Sequence, residues 1–173
     1  MAGTEPAEWI HACVWDAYLS DQPSREQMTT CLGWQANPRP SFCRGHYASL
    51  PSHSLSDPRA IELRADHISF HPSGQSDLHG HVQVQQDQRI VTARTARVYR
   101  NAQTHQIDRI DLDYNVHLMD PDRLMIAQHG SFNPQDKSGY VQKALYRFNT
   151  NRASALLPAW GTAEWIRQMN IIV

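Results

Sequence analysis

The sequence lacks the short motifs by which catalytic chains are recognised. It has no Gly-x-Ser-x-Gly elbow, no phosphate-binding loop and no dinucleotide fingerprint. Cys43 has His46 near it in sequence, but a nucleophilic pair needs a third, orienting group, and nothing supplies one. No enzyme activity is expected. An excess of charge of either sign is also missing. Lys and Arg number 16 against 17 Asp and Glu, for a net charge of -1. Neither a basic patch nor an acidic tail stands out, so nucleic-acid partners and steering by net charge are not expected. No apolar run approaches the length of a transmembrane helix. The start, Met1-Ala2-Gly3-Thr4-Glu5-Pro6, lacks the charged leader and apolar stretch of a signal peptide. That leaves either a cytosolic chain or one whose leader lies upstream.

Cysteine is sparse. Cys13, Cys31 and Cys43 are the only three, and their spacing matches no zinc signature. Either all stay reduced, or one bridge forms within the triplet and leaves a thiol for a partner elsewhere. If a bridge forms, Cys31–Cys43 is slightly favoured by its short loop, with a stabilisation of about 3 kcal/mol in the chain-entropy model. Ten histidines raise the question of a metal. His79 and His81 share a strand face, with His67 and His71 just before them, yet no Cys, Asp or Glu joins them at a ligand spacing. Solvated histidines are expected, with no metal and no cofactor. Asp108, Asp111 and Asp113 form a carboxylate group, but a wet strand face does not split the pKa values of a pair. Solvated charge that deters edge pairing is the expected role.

What the sequence does have is a repeat. Leu63-x-Ala65-x-x-Ile68-x-Phe70 is followed by Val91-x-Ala93-x-x-Ala96-x-Val98 and by Met125-x-Ala127-x-x-Gly130-x-Phe132. A weaker copy begins at Gly161-x-Ala163-x-x-Ile166. Residues two apart in a strand share a face. A slip of one sends the second pair to the other face unless a bulge absorbs it. The recurring slip therefore predicts a built-in bulge in a sheet of repeated units. Val82 to Val116, Ile90 to Leu124 and Ala93 to Ala127 are each 34 positions apart, so the unit spans two to three strands.

Residues 1–60 read as irregular, broken by Pro6, Pro23, Pro38, Pro40, Pro51 and Pro58. Ser24-Arg25-Glu26-Gln27 is a capping-box pattern that opens a short helix to about Leu32. Trp9, Trp15 and Trp34 are expected to anchor this segment on an apolar surface. From residue 61 the pattern is β. Strands are expected over 61–70, 78–86, 89–99, 107–119, 124–132 and 140–148, with Pro, Gly, Asn and Asp turns between them. The clearest has Ile110, Leu112, Tyr114, Val116 and Leu118 on one face and Asp111, Asp113, Asn115 and His117 on the other. The ending Ile171-Ile172-Val173 reads as a truncation or a short edge strand. The apolar face is either a plain hydrophobic core or one wall of an acyl-chain groove. For a groove, the candidate lining is Ile68, Phe70, Val82, Val84, Val98, Ile110, Leu112, Tyr114, Val116, Leu118, Ile126 and Phe132.

Several segments, in order, resemble a known family. They are Ala65-Asp66-His67-Ile68-Ser69-Phe70, Gly80-His81-Val82-Gln83-Val84 and Ile90-Val91-Thr92-Ala93-Arg94-x-Ala96. The resemblance, over roughly residues 31–168, is to the OstA-like domains of lipopolysaccharide transport. Lys143-Ala144-Leu145-Tyr146-Arg147-Phe148, Trp160-Gly161 and the cysteines at 31 and 43 resemble the N-terminal region of the LptD-type outer-membrane assembly proteins more than the free-standing LptA-type bridge proteins. The resemblance implies an all-β fold, an open twisted β-jellyroll of repeated antiparallel units over residues 61–173, cut short at its C-terminal end. It implies periplasmic localisation at the outer membrane and a role guiding lipid A acyl chains through an apolar groove. The implied partners are lipopolysaccharide, an LptA-like bridge protein paired edge to edge, and an outer-membrane β-barrel with its plug lipoprotein. In that family the cysteines pair with the barrel, so the resemblance implies that they lack those partners here, which would explain the odd count. The alternatives are an LptA-like bridge, an edge-docking module with a solid core, and a cytosolic or metal-binding β protein unrelated to lipid.

Overall fold

A computed structural model of the chain describes Cys13 and residues 23–38, 44–152 and 155–168. Trp9, Trp15, Cys43 and the apolar end 171–173 lie outside the described residues. Helix α1 (Arg25–Cys31) starts where its capping box stands. The Gln27 N–H donates to Ser24 Oγ at 3.2 Å and the Ser24 N–H donates to Gln27 Oε1 at 2.7 Å, so two otherwise orphaned donors are satisfied reciprocally. Beyond it the segment is not wholly irregular, as the sequence suggested. β1 (Trp34–Ala36) and β2 (Gly45–Tyr47) pair as a small antiparallel sheet, and the Tyr47 ring meets the Trp34 ring edge-on at 5.1 Å. Strands this short carry too few residues for a period to show.

The main sheet is antiparallel throughout. It comprises β3 (Ile61–Arg64), β4 (His67–Phe70), β5 (Gln75–Gln86), β6 (Arg89–Arg100), β7 (Ile107–Asp120), β8 (Arg123–Asn133), β9 (Ser138–Arg152) and β10 (Ala155–Gln168). Their order is β10-β9-β8-β7-β6-β5-β3, with β4 also on β5. Successive hairpins build the sheet, and no pairing joins its two edges among the described residues.

The slip in the repeat is absorbed as the spacing predicts. Register shifts fall between His79 and Val82 on β5, between Thr92 and Thr95 on β6, and between Asp113 and Val116 on β7. Left-handed dihedrals mark the same line: Gly80 and His81 on β5 (φ 74 and 42), Tyr114 and Asn115 on β7 (φ 64 and 55) and Lys143 on β9 (φ 50). Each bulge resets the face, so Val91, Ala93, Ala96 and Val98 all enter one buried cluster despite the change of phase between Ala93 and Ala96. The first copy of the repeat, expected as one strand, breaks instead at Ala65-Asp66 into β3 and β4. There the Asp66 N–H donates to the Gly80 carbonyl at 2.9 Å, and its carboxylate meets His81 Nδ1 at 2.8 Å. The break thus seats on the bulge opposite.

The aligned bulges fold the sheet across its strands. The inner cluster holds residues from both sides of that line, such as Val84, Val91 and Leu118 on one side and Leu78, Val98 and Leu112 on the other. Gln86, at the end of β5, donates through Nε2 to the Pro134 carbonyl in the β8–β9 loop at 3.1 Å. Strand ends that are far apart in the flat sheet therefore meet. A second cluster lies on the opposite face of one half. Ile90, Met119, Leu124, Ile126 and Leu145 pack there against Cys13, Cys31, Leu32 and Leu50 of the N-terminal segment. The bridge is Cys13–Cys31, with Cα atoms 5.3 Å apart, and not the favoured Cys31–Cys43. Loop length was the wrong guide, because packing brings Cys13 and Cys31 together under the cap.

Candidate functional site

The inner face of the folded sheet gathers most of the expected groove residues. Val82, Val84, Val98, Ile110, Leu112, Val116 and Leu118 are buried in one cluster, and Phe132 packs against it. Ile68 and Phe70 sit opposite Leu78 and Ser76, on the inner side of β5, yet they are 41% and 75% exposed. They carry the apolar stripe out to the rim of the sheet. Two expectations are corrected. Tyr114 is 56% exposed, because it occupies the bulge and leaves the alternation there. Ile126 is buried on the other face, against the N-terminal segment. The sequence reading omitted Leu78, Met125, Val141 and Ala144, which also line the interior. Met125 already stood in the slipped repeat, the signal that would have found it.

The interior is closely packed. A cleft of about 30 Å³ runs between Leu112, Val116, Leu118, Met125, Phe132, Val141 and Ile166. That volume suits about one water molecule. At its mouth stand Arg89, the first residue of β6, and Lys137, in the β8–β9 loop. Burial holds the Arg89 guanidinium below the usual arginine value; repulsion from Arg123 adds to this and Asp120 opposes it. Arg89 Nε is buried without a hydrogen-bond partner among the described residues. Asp120 itself forms an ion pair with Arg123. A polar depression of about 240 Å³ on the outer side of the mouth adds Gln86, Asp87 and Asp122.

The outer face of the far half is polar and paired. His129 Nδ1 lies 2.6 Å from Asp113 Oδ1, and Ser131 Oγ donates to Asp111 at 2.7 Å. Arg109 stacks 4.1 Å over the Tyr99 ring and reaches Asp111 at 3.2 Å. These carboxylates are not freely solvated edge charges as expected, because β7 is a central strand and its neighbours offer partners. His71 and His81 likewise meet Asp77 and Asp66, each at 2.8 Å. A cleft of about 1280 Å³ separates α1 and β1–β2 from β9 and β10. Arg147 borders it. It donates to the Leu32 carbonyl at 3.0 Å and to Asn149 at 3.1 Å, and stacks over Tyr47 at 4.9 Å. Burial pushes its pKa down and raises that of Tyr47. This arginine clamps the N-terminal segment to the sheet.

Residues 62–153, from β3 to the end of β9, match the family described as LptA/(LptD N-terminal domain) LPS transport protein. The chain belongs to this family. The LPS-assembly protein LptD of Legionella pneumophila strain Lens is 44% identical over 163 residues, which cover 93% of this chain and 19% of that protein. The same protein of strain Paris matches equally. The chain thus spans about a fifth of the length of the curated relatives it matches. A solved structure of LptH, the LptA homologous periplasmic component of the lipopolysaccharide transport device of Pseudomonas aeruginosa, has a TM-score of 0.49 and 12% identity, covering 62% of this chain and 74% of that one.

Membership gives the local geometry a place. The Ala65-Asp66 break, the Gly80-His81 bulge and the slipped stripe all fall inside the LptA/LptD N-terminal match. A match over 93% of the chain must also take in most of the N-terminal segment and at least part of β10, which lie outside residues 62–153. The similarity to LptD therefore reaches the cap as well as the sheet.

Proposed function

We propose that this chain is a periplasmic lipopolysaccharide-transport domain, which guides lipid A acyl chains along its inner face toward an outer-membrane β-barrel. The observation that carries this reading is the continuity of the apolar stripe. It runs through β5, β6, β7, β8 and β9 and ends at the exposed Ile68 and Phe70. Acyl chains need such a stripe, because each methylene taken from water contributes about 0.8 kcal/mol. In this reading the edges at β10 and at β3–β4, which pair with no further strand among the described residues, accept strands from an LptA-like bridge protein or from the rest of the assembly, by strand addition. The barrel and its plug lipoprotein are the further partners of this reading.

One observation favours a second reading. A cleft of about 30 Å³ is too small for an acyl chain, so a domain that stays closed would dock through its edges without carrying lipid. Photo-crosslinking separates the two. Crosslinkers at Leu112, Val116 and Phe132 should capture lipopolysaccharide in cells, while one at Asp113 should not. Ile126 is the stricter control, apolar but under the cap. Capture at Ile126 equal to that at Leu112 would reduce the interior to generic stickiness, and capture at none of them would favour the docking module.

A further inference from the structure

We infer that the mouth of the inner cleft holds a phosphate group of an anionic amphiphile between Arg89 and Lys137. The inference rests on the transport reading above and names the part of the ligand that this end of the interior recognises. Among the described residues, Arg89 and Lys137 are the only charged ones lining the cleft, and the rest of its lining is apolar or neutral. They come from strand ends that the folding of the sheet brings together, β6 on one side and the β8–β9 loop on the other. Among the described residues neither forms an ion pair with a carboxylate. The nearby acids are otherwise placed. Asp120 is taken by Arg123; Asp87 and Asp122 share the polar depression outside with Arg89 and Lys137 but do not line the cleft.

Arg89 adds the second observation. Its Nε is buried and has no acceptor among the described residues, a cost that native structures rarely leave standing. An anion arriving at the mouth would supply that acceptor. Two cations facing one apolar opening suit a group that carries close to two negative charges, as a phosphate monoester does near neutral pH. A guanidinium beside it offers paired N–H donors matched to phosphate oxygens, and the ammonium supplies a point charge. The attached acyl chains then enter between Leu112, Leu118 and Phe132.

The test compares two lipids on the full chain in mixed micelles: lipid A with its phosphates, and the same lipid after enzymatic dephosphorylation. The wild type should prefer the phosphorylated form about tenfold, the scale of one or two charge-assisted hydrogen bonds. Arg89→Gln with Lys137→Gln should abolish the preference and leave affinity for the dephosphorylated lipid unchanged. Lys137 is exposed on a loop, so Lys137→Gln alone keeps the fold and should still lower the preference. Arg89→Lys should retain most of it. A preference that survives in the double variant overturns the inference, as does an equal loss for both lipids. If the wild type binds neither lipid, the transport reading fails by itself. Pyrophosphate then decides the site: a phosphorus NMR shift on binding, lost in the double variant, keeps the anion site, and no binding overturns it. Pyrophosphate bound as tightly as the phosphorylated lipid would overturn the headgroup assignment in favour of a free anion.

Discussion

A Cβ added at Gly80 would lie 2.3 Å from Asp66 Oδ2, at a φ of 74 that side chains rarely adopt. Both the bulge and its seat on Asp66 depend on that missing atom. Gly80→Ala should therefore destabilise the domain by about 2 kcal/mol, from strain in the left-handed region plus the displaced carboxylate. Gly130→Ala is the matched comparison. Its Cβ would meet Val141 Cγ1 at 3.4 Å and Val116 Cγ1 at 3.5 Å, close to ordinary contact, and its cost should stay under about 1 kcal/mol. Urea midpoints measure both, and a Gly80→Ala variant as stable as wild type would mean that the bulge tolerates other geometry. At this scale the sequence was legible wherever the repeat spoke and misleading where plain alternation was assumed. The repeat placed Met125, Ala127 and Phe132 on one face, and they lie there. Ile126 stands between two of them, so it had to face the other way, and it does. Tyr114 was assigned by counting in twos through a position where the chain inserts extra residues.

Strands β5 to β9 were readable in the sequence because each is long enough for period and turn residues to agree, whereas β10 (Ala155–Gln168) was not expected as a strand. The expected bounds fall inside the observed ones, apart from the split of 61–70 into β3 and β4. The N-terminal cap was much less so. Its capping box is local and was visible, but its partner surface is assembled from β6, β7, β8 and β9. The trace of that surface is a doublet or run of apolar residues near the strand ends: Ile90-Val91, Leu118-Met119, Leu124-Met125-Ile126-Ala127 and Ala144-Leu145. Runs of this kind mark strands buried on both faces. The cysteine pairing depends on the same packing. Cys13 and Cys31 are both buried beneath the cap, 18 residues apart in sequence. A bridge closing a loop of that size stabilises by about 3 kcal/mol in the chain-entropy model. After oxidative production the denatured chain should show one free thiol. Cys13→Ala should show two and lose up to about 3 kcal/mol in denaturant titration. A Cys13→Ala chain with no free thiol would mean that Cys31 pairs readily with Cys43 and that the choice of partner is not set by packing.

At the scale of the molecule, an apolar interior with room for about one water stands against the proposed function, which needs room for acyl chains. The line of bulges offers a way out. Left-handed residues at Gly80, His81, Tyr114, Asn115 and Lys143 interrupt the ladders at one level across the sheet, so a bend there breaks few hydrogen bonds. At the mouth the two halves are joined by the hydrogen bond from Gln86 Nε2 to the Pro134 carbonyl. A single neutral hydrogen bond of this kind contributes about 1 kcal/mol, far less than the burial of a few methylenes. Lipid should thus part the halves about the bulge line while each half keeps its own strand pairing. Spin labels at Gln88 and Asp136, both on exposed turns at the mouth, would report it. Their separation should lengthen when lipopolysaccharide is added, and Gln86→Ala should broaden the lipid-free distribution toward longer distances. A second label pair within one half, Gln103 with Asp136, should not move. Bound lipid with an unchanged distance at the mouth would place the acyl chains elsewhere, and the closed interior would then be an ordinary core.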